Sequence, residues 1–216
     1  MIITIDGPAG SGKSTVAEIL SKKLGFIHFN SGSIFRGVTA YLMSIDFDIS
    51  SLNEHSIVNN FSVSTEYVDG VQRVYVNGTD FTSKLRLNEV SINTAYVAQC
   101  KSIREKIDEC QRAFGSKNNI VIEGRDTGSF VFPNADYKFY LDCSIKERAK
   151  RRFNEEVLKN PNTSLLEIEK QIKKRDELDK NRNIAPLVIP NGAIIIDSTN
   201  LNIQQVVDEL LKHIDI

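Results

Sequence analysis

Cysteine and histidine are scarce in this chain, with three of each among 216 residues. Cys100, Cys110 and Cys143 are scattered and odd in number, and no pair forms a CxxC. With only His28, His55 and His213 beside them, no zinc-ligand spacing arises. Free thiols in a reducing cytosol are the expectation. Neither sign of charge is in excess: 27 Lys and Arg face 28 Asp and Glu. A net charge of −1 exerts no general pull toward nucleic acid or acidic membranes. No apolar run approaches the ~20 residues that span a bilayer. The chain opens on a strand-like run rather than a basic segment, an apolar stretch and a cleavage site. These absences predict a soluble, cytoplasmic protein. The apolar fraction of 41% is ordinary for a globular chain, and the length suits one buried domain with appendages.

What is present alternates between strand and helix signals. Ile2-Ile3-Thr4-Ile5 is a short β-branched run and reads as a buried strand. Val16, Ile19, Leu20 and Leu24 then fall at helical spacing, and Gly25 can end that helix. Phe26–Phe29 is a second strand, which completes a βαβ unit and implies a parallel sheet. Residues 119–123, 137–141 and 193–196 repeat the strand signal, and an amphipathic helix follows through Val206, Leu210 and Leu211. The pattern predicts an α/β fold with a five-stranded parallel sheet flanked by helices. Two stretches depart from it. Val63, Thr65, Tyr67, Val74 and Val76 alternate around Asp69-Gly70, which predicts an antiparallel hairpin inserted at the sheet edge. Residues 146–182 are helical and carry twelve basic and eight acidic side chains, with a break at Asn160-Pro161-Asn162.

Chemistry enters at Gly7-Pro8-Ala9-Gly10-Ser11-Gly12-Lys13-Ser14-Thr15, which matches G-x-x-x-x-G-K-[ST] between a strand and a helix. Glycines let backbone N–H groups approach phosphate oxygens, and the following helix directs its positive end at them. Lys13 supplies a mobile charge for the outer phosphates, and Ser14 can offer its hydroxyl to Mg²⁺. The loop therefore predicts binding of a nucleoside triphosphate. By itself it would serve a GTPase, a motor ATPase or a kinase equally. The lack of an Asn-Lys-x-Asp base-reading element weakens the first. Arg36, Arg104, Arg125, Arg175 and Arg182 remain as candidates for bidentate phosphate recognition. Most arginines are solvated surface residues. Arg125 stands apart, because it lies just past an apolar strand, on the sheet edge where open α/β folds bind ligands.

In these segments the chain resembles the bacterial cytidylate kinases, within the nucleoside monophosphate kinase group of P-loop kinases. The resemblance is carried by the loop from Asp6 to Thr15, by Ser31-Gly32-Ser33-Ile34-Phe35-Arg36 and by Gly124-Arg125-Asp126-Thr127-Gly128. It continues in Val131-Phe132-Pro133-Asn134-Ala135, Glu147-Arg148-Ala149-Lys150-Arg151-Arg152, and Lys174-Arg175-Asp176 through Ala185-Pro186-Leu187. It implies ATP- and Mg²⁺-dependent phosphorylation of CMP or dCMP by a monomer, with neither nucleic acid nor membrane as partner. Gly7 to Thr15 would hold ATP, with Arg148 and Arg152 from a lid. Ser31, Arg36, Arg125 and Arg182 would hold the acceptor phosphate. Arg104 and Asp126 would read cytosine, while Arg175 and Asp179 would contact the sugar. Lys13, Arg125, Arg175 and Arg182 are the catalytic candidates. The core would comprise 1–35, 101–145 and 183–216, with a substrate-binding insertion at 36–100 and a lid at 146–182.

The chemistry asks for the same inventory. A phosphate monoester carries about −1.5 to −2 charge near neutral pH and needs no strong general base. Meeting another anion in line, it needs positive charge and exclusion of water. Three departures from the family pattern stand out. Asn30 occupies a place where a carboxylate would help orient Mg²⁺, leaving Glu123 to supply that charge. Ala95 stands where a base-contacting serine is expected, and Leu178 where some relatives carry arginine. A kinase for another monophosphate or for an alcohol is the alternative, the latter calling for a carboxylate base and fewer arginines. A nucleic-acid module built on 146–182 is disfavoured by its interspersed acids.

Overall fold

The computed structural model describes residues 1–158 and 160–215. Five parallel strands form the main sheet, in the order β2-β6-β1-β7-β8. They are β1 (Ile2–Asp6), β2 (Ile27–Asn30), β6 (Ile120–Gly124), β7 (Tyr137–Asp142) and β8 (Ile194–Asp197). β1 lies at the centre, with Ile5 opposite Glu123 on one side and Phe139 on the other. The chain crosses from β1 to the β2 edge, returns through β6 and then continues to β7 and β8 on the other side. The carboxyl end of β1 is therefore the switch point where such sheets form a ligand crevice. All five strands anticipated from the β-branched runs are present, within a residue or two of their expected limits.

Helix α1 (Lys13–Leu24) begins at Gly12 and ends at Gly25, both in the left-handed region with φ of 93° and 68°. It packs with α7 (Ile203–Leu211) on one face of the sheet, over a core that includes Ile3, Ile5, Leu20 and Phe139. The other face is covered by α2 (Ser31–Ser44) and α4 (Lys101–Gly115), whose core holds Phe29, Ile34, Ile103 and Ile122. Between these two helices comes α3 (Asn88–Val97). α5 (Ile145–Glu156) and α6 (Leu165–Asn181) form a separate pair around Ala149, Ile168 and Ile172. Each begins on a serine cap, Ser144 or Ser164, as the turn chemistry requires.

The alternating segment forms the expected hairpin, β3 (Val63–Val68) and β4 (Val71–Val76), around Asp69-Gly70. Both turn residues have positive φ, 53° and 77°, as a tight two-residue connection demands. The same signal recurs at Asn77-Gly78, with φ of 50° and 75°, and adds β5 (Thr79–Asp80) to make a three-stranded antiparallel sheet. That third strand was not anticipated, although Asn-Gly is as strong a signal as Asp-Gly. The small sheet is separate from the large one, beside its β2 edge. Gln72 Oε1 accepts the Asn30 N–H there at 2.7 Å.

Gly37 fixes how closely this small sheet can approach. A Cβ at that position would overlap Val74 Cγ1 of β4, so α2 and the hairpin touch only because the side chain is missing. Gly37→Ala is expected to lower stability by about 1–3 kcal/mol through overpacking. Combining it with Val74→Ala, which opens space on the same contact, should cost less than the two single changes added together. Denaturant melts of the four proteins in this cycle measure the coupling.

Candidate functional site

The carboxyl ends of β1, β2 and β6 open into a cleft of about 1440 Å³, also lined by α3, α5, α6 and the loop after β8. One half is built on the glycine-rich loop. Gly7 has φ of 151°, and a Cβ there would collide with the Leu141 carbonyl of β7, so only glycine lets the loop leave β1 beside its neighbour. Lys13 folds back over the loop, donating to Pro8 O at 2.6 Å and Ser11 Oγ at 3.2 Å. Burial, with Arg125 nearby, brings its ammonium down to about 7, so an anion entering the loop would restore its charge. Ala9, Gly10, Gly12, Lys13, Ser14 and Thr15 line the cleft, while Gly7, Pro8 and Ser11 support it from behind.

Helices α5 and α6 are tied to a single residue of this loop. Arg148 of α5 donates to Ala9 O at 2.9 Å, and Asp176 of α6 accepts the Ala9 N–H at 3.0 Å. The two side chains pair with each other at 2.6 Å and are buried. Arg148 also donates to Cys143 O at 2.9 Å, which leaves it a strut beneath the cleft rather than a side chain facing into it. Arg152 does line the cleft, paired with Glu156 at 2.6 Å. So does Arg151, absent from the sequence-derived site list, which donates to Ser198 O at 2.6 Å. With Thr199, Asn200 and Ile203 it encloses the end of the cleft beyond the loop. Asp176 was likewise missed, since an acid on a charged helix carries no visible mark of burial. The strand-end rule that singled out Arg125 also applies to the Ser198-Thr199-Asn200 run after β8.

The other half gathers arginines around one carboxylate. Asp179 lies 2.9 Å from Arg125 Nε, 3.3 Å from Arg175 Nε and 4.0 Å from Arg182 Nη1. Burial opposes its charge, yet the three guanidinium groups bring its carboxyl below the ordinary value. For Arg125 burial again opposes charge, and Asp179 and Glu123 more than offset it. Arg36 projects into the same space with no hydrogen-bond or ion-pair partner among the described residues. Burial lowers its pKa, as it does that of Arg182. Arg175 donates to Ser91 O at 3.3 Å and so bridges α6 to α3 across the cleft. Ser31 lines the floor of this half.

Farther in, Asp126 is held between two arginines. Arg104 hydrogen-bonds it directly, and Arg182 Nη2 lies 3.0 Å from its other oxygen, oblique to the line of a good hydrogen bond. Arg104 is fully buried, with its guanidinium over the Phe35 ring at 5.1 Å and bonded to Ala98 O at 3.1 Å. It therefore stands behind the cleft wall, whereas Asp126, Thr94, Ala95 and Leu178 form part of the lining. Arg182 donates to Ala185 O at 2.6 Å, and Ala185 adopts φ of 49° to present that carbonyl. A left-handed alanine costs roughly 1–2 kcal/mol, which the surrounding contacts must offset.

Near the join of the two halves, Ser14 Oγ donates to Glu123 Oε1 at 2.7 Å. Asn30 instead caps α2, its side chain accepting the Ser33 N–H at 2.9 Å. Asparagine performs that capping as well as aspartate but contributes no charge. Below the loop, Asp6 accepts the Thr127 N–H at 2.9 Å and the Gly128 N–H at 2.7 Å, which fixes the turn bearing Arg125 and Asp126. Burial outweighs these bonds and raises its carboxyl to about 6.

The cleft can thus hold two anionic ligands end to end, one on the backbone loop and Lys13, the other among Arg36, Arg125, Arg175 and Arg182. Because Asp176 and Arg148 bracket Ala9, Asp176→Ala is expected to strand a buried arginine and lower stability by about 3–5 kcal/mol. Triphosphate binding should weaken as well, since the loop loses its anchor. Denaturant unfolding and titration with inorganic triphosphate measure the two effects.

Comparison with known proteins adds a lineage to this geometry. The family model described as cytidylate kinase matches residues 3–216. A cytidylate kinase of Clostridioides difficile (strain 630) is 39% identical over 217 residues, covering 100% of this chain and 99% of the relative. One from Caldanaerobacter subterraneus subsp. tengcongensis is 41% identical over 214 residues, covering 98% of this chain and 93% of the relative. Among solved structures, an uncharacterized protein from Eubacterium ventriosum shares the fold, with a TM-score of 0.52 at 14% identity, covering 100% of this chain and 98% of that one. With a match over almost the entire chain and relatives near 40% identity, the protein belongs to the cytidylate kinase family.

Proposed function

We propose that this protein transfers the terminal phosphoryl group of ATP to CMP or dCMP, forming ADP and the corresponding diphosphate. The observation that carries the reading is the second anion site. Arg36, Arg125, Arg175 and Arg182 face the phosphate loop across one cleft, and among the described residues only Asp179 and Asp126 are ion-paired with them. That excess of positive charge suits an acceptor that is itself a phosphate. An alcohol acceptor would call for a carboxylate base in the same place. Family membership and the relatives named cytidylate kinase point to the same substrates.

In this reading Lys13 leaves Pro8 O and spans the outer phosphates, regaining full charge as it does so. Arg125 lies between the halves and accompanies the charge that develops during transfer, while Arg36, Arg175 and Arg182 orient the acceptor phosphate in line. Ser31 is a further phosphate contact. Asp126, backed by Arg104, accepts the amino group of cytosine, and Asp179 with Arg175 meets the sugar. A magnesium ion fits the donors present, because Ser14 and Glu123 offer hard oxygens a hydrogen-bond length apart and Mg²⁺ retains several waters. When bound it neutralises charge on the donor phosphates. Arg151 and Arg152 lie on the ATP side, and Arg148 supports the loop that holds it. Helices α5 and α6 serve as the lid over 146–182, residues 36–100 as the acceptor-binding insertion, and the remainder as the core.

The protein is expected to act on small nucleotides as a cytoplasmic monomer. Pairing of Arg151 with Glu147, Arg152 with Glu156 and Lys173 with Glu169 intersperses acids among the basic side chains of that lid. No helix among the described residues is long and apolar enough to cross a membrane.

With Mg-ATP, CMP and dCMP should be converted faster than UMP, AMP or GMP in an assay coupled to ADP release. Comparable rates on UMP, or none on CMP, would overturn the assignment. Arg125→Ala should lower kcat/KM by about 10²–10³ without unfolding the chain, as loss of one oriented donor to the transition state does elsewhere. Ala95, standing where a further hydroxyl could reach the base, should relax the preference for cytosine by roughly two- to ten-fold relative to Ala95→Ser.

A further inference from the structure

Helix α4 carries a buried polar stripe that phosphoryl transfer does not use. Arg104, Asp108 and Gln111 follow at i, i+4 and i+7, so they share a face, and none is more than 2% exposed. Gln111 Nε2 donates to Asp108 Oδ1 at 3.3 Å, the one hydrogen bond this carboxylate receives among the described residues. Two other buried atoms of the stripe, Arg104 Nε and Gln111 Oε1, have no partner among those residues. The charged groups around Asp108 are Arg104 and Arg112 on its own helix, Asp126 from the turn after β6, and Arg182 after α6. A carboxylate so placed, without a close cation, costs the fold stability that a leucine of similar volume would not.

We propose that Asp108 is a positioning residue for base recognition. Its carboxylate shares the charge of Arg104, so that Asp126 keeps accepting capacity for the amino group of a bound pyrimidine. Without it, Asp126 is left as the acid facing Arg104 while also pairing with Arg182, and is drawn back into the wall. The inference rests on the reading of the cleft as a cytidine monophosphate site. Burial raises the Asp108 carboxyl to about 6, so its support for the base is present above that pH and fades below it. Folded-state protonation is favoured over the unfolded value of 3.8, so stability falls as pH rises through this interval and the full cost applies above it.

The test uses the full chain as wild type, Asp108→Asn and Asp108→Leu, after an acceptor panel on the wild type. At about pH 7.5 the Asn variant should raise KM for CMP roughly two- to ten-fold, with kcat and KM for ATP unchanged. Inhibition by ribose 5-phosphate, which has a phosphate and a sugar but no base, should be unaffected. At about pH 5.5 the ratio between the two proteins should shrink, because Asp108 is then mostly neutral in the wild type as well. The acceptor phosphate also titrates in this range, but equally for both proteins. Asp108→Leu should show the same KM change and melt at higher temperature than the wild type near neutral pH; it carries the comparison if the Asn variant does not fold. An unchanged KM for CMP, an equal ratio at both pH values, or an equal loss of ribose 5-phosphate binding would overturn the proposal. A wild type that prefers another monophosphate would instead refute the functional reading. The same comparison with that acceptor then judges Asp108 separately.

Discussion

Six arginines and Lys13 line one cleft with Arg104 behind its wall, and burial removes much of the water that would otherwise screen them from one another. Arg104, Lys13 and Arg182 are almost entirely covered, and the surroundings lower the pKa of Lys13, Arg36 and Arg182. Holding so much positive charge together is the constraint from which the rest of the site follows. Each buried carboxylate near the cleft addresses part of it. Asp179 gathers three arginines, Asp126 holds two, and Asp176 pairs with Arg148. None of these acids neutralises Arg36, and the balance remains positive, which is the condition a dianionic ligand requires.

The same kind of pairing determines how α5 and α6 connect to the rest of the fold. α5 and α6 share only a small apolar cluster of their own. They also hold the sheet domain through polar contacts, at Ala9, Cys143 O and Ser198 O. Helices attached in this way are coupled to the phosphate loop, since each holds one backbone group of Ala9. On the opposite side, Arg175 reaches Ser91 O from α6 to α3. Helix α6 therefore contacts the phosphate loop through Asp176 and α3 through Arg175, its immediate neighbour in sequence.

Much of this was legible in the residues. β-Branched runs gave the parallel strands, and Asp69-Gly70 gave the hairpin. The loop from Gly7 to Ser14 was readable because glycine, lysine and hydroxyl must stand in fixed order to meet phosphate. Arg125 could be singled out because it follows an apolar strand directly. Arg148 was harder. Sequence placed it beside ATP on a charged helix, while in the fold its guanidinium turns inward to Ala9 and Cys143. Asp176, Asp108 and Gln111 were illegible for the same reason, since a polar residue on a helix reads as solvated until a second element covers it.

The sequence by itself determined the local and directional features: strand and helix order, the tight turns, the phosphate loop and the supply of arginines. Those follow from backbone sterics and from spacings of a few residues, which a chain carries wherever it goes. Tertiary structure alone decided which arginines face the cleft, which stand behind its wall, and which acids are buried to hold them. Burial and ion pairing depend on residues more than fifty positions apart, such as Arg125 with Asp179 and Ala9 with Asp176. Their energies turn on the local dielectric, which exists only once the layers have packed.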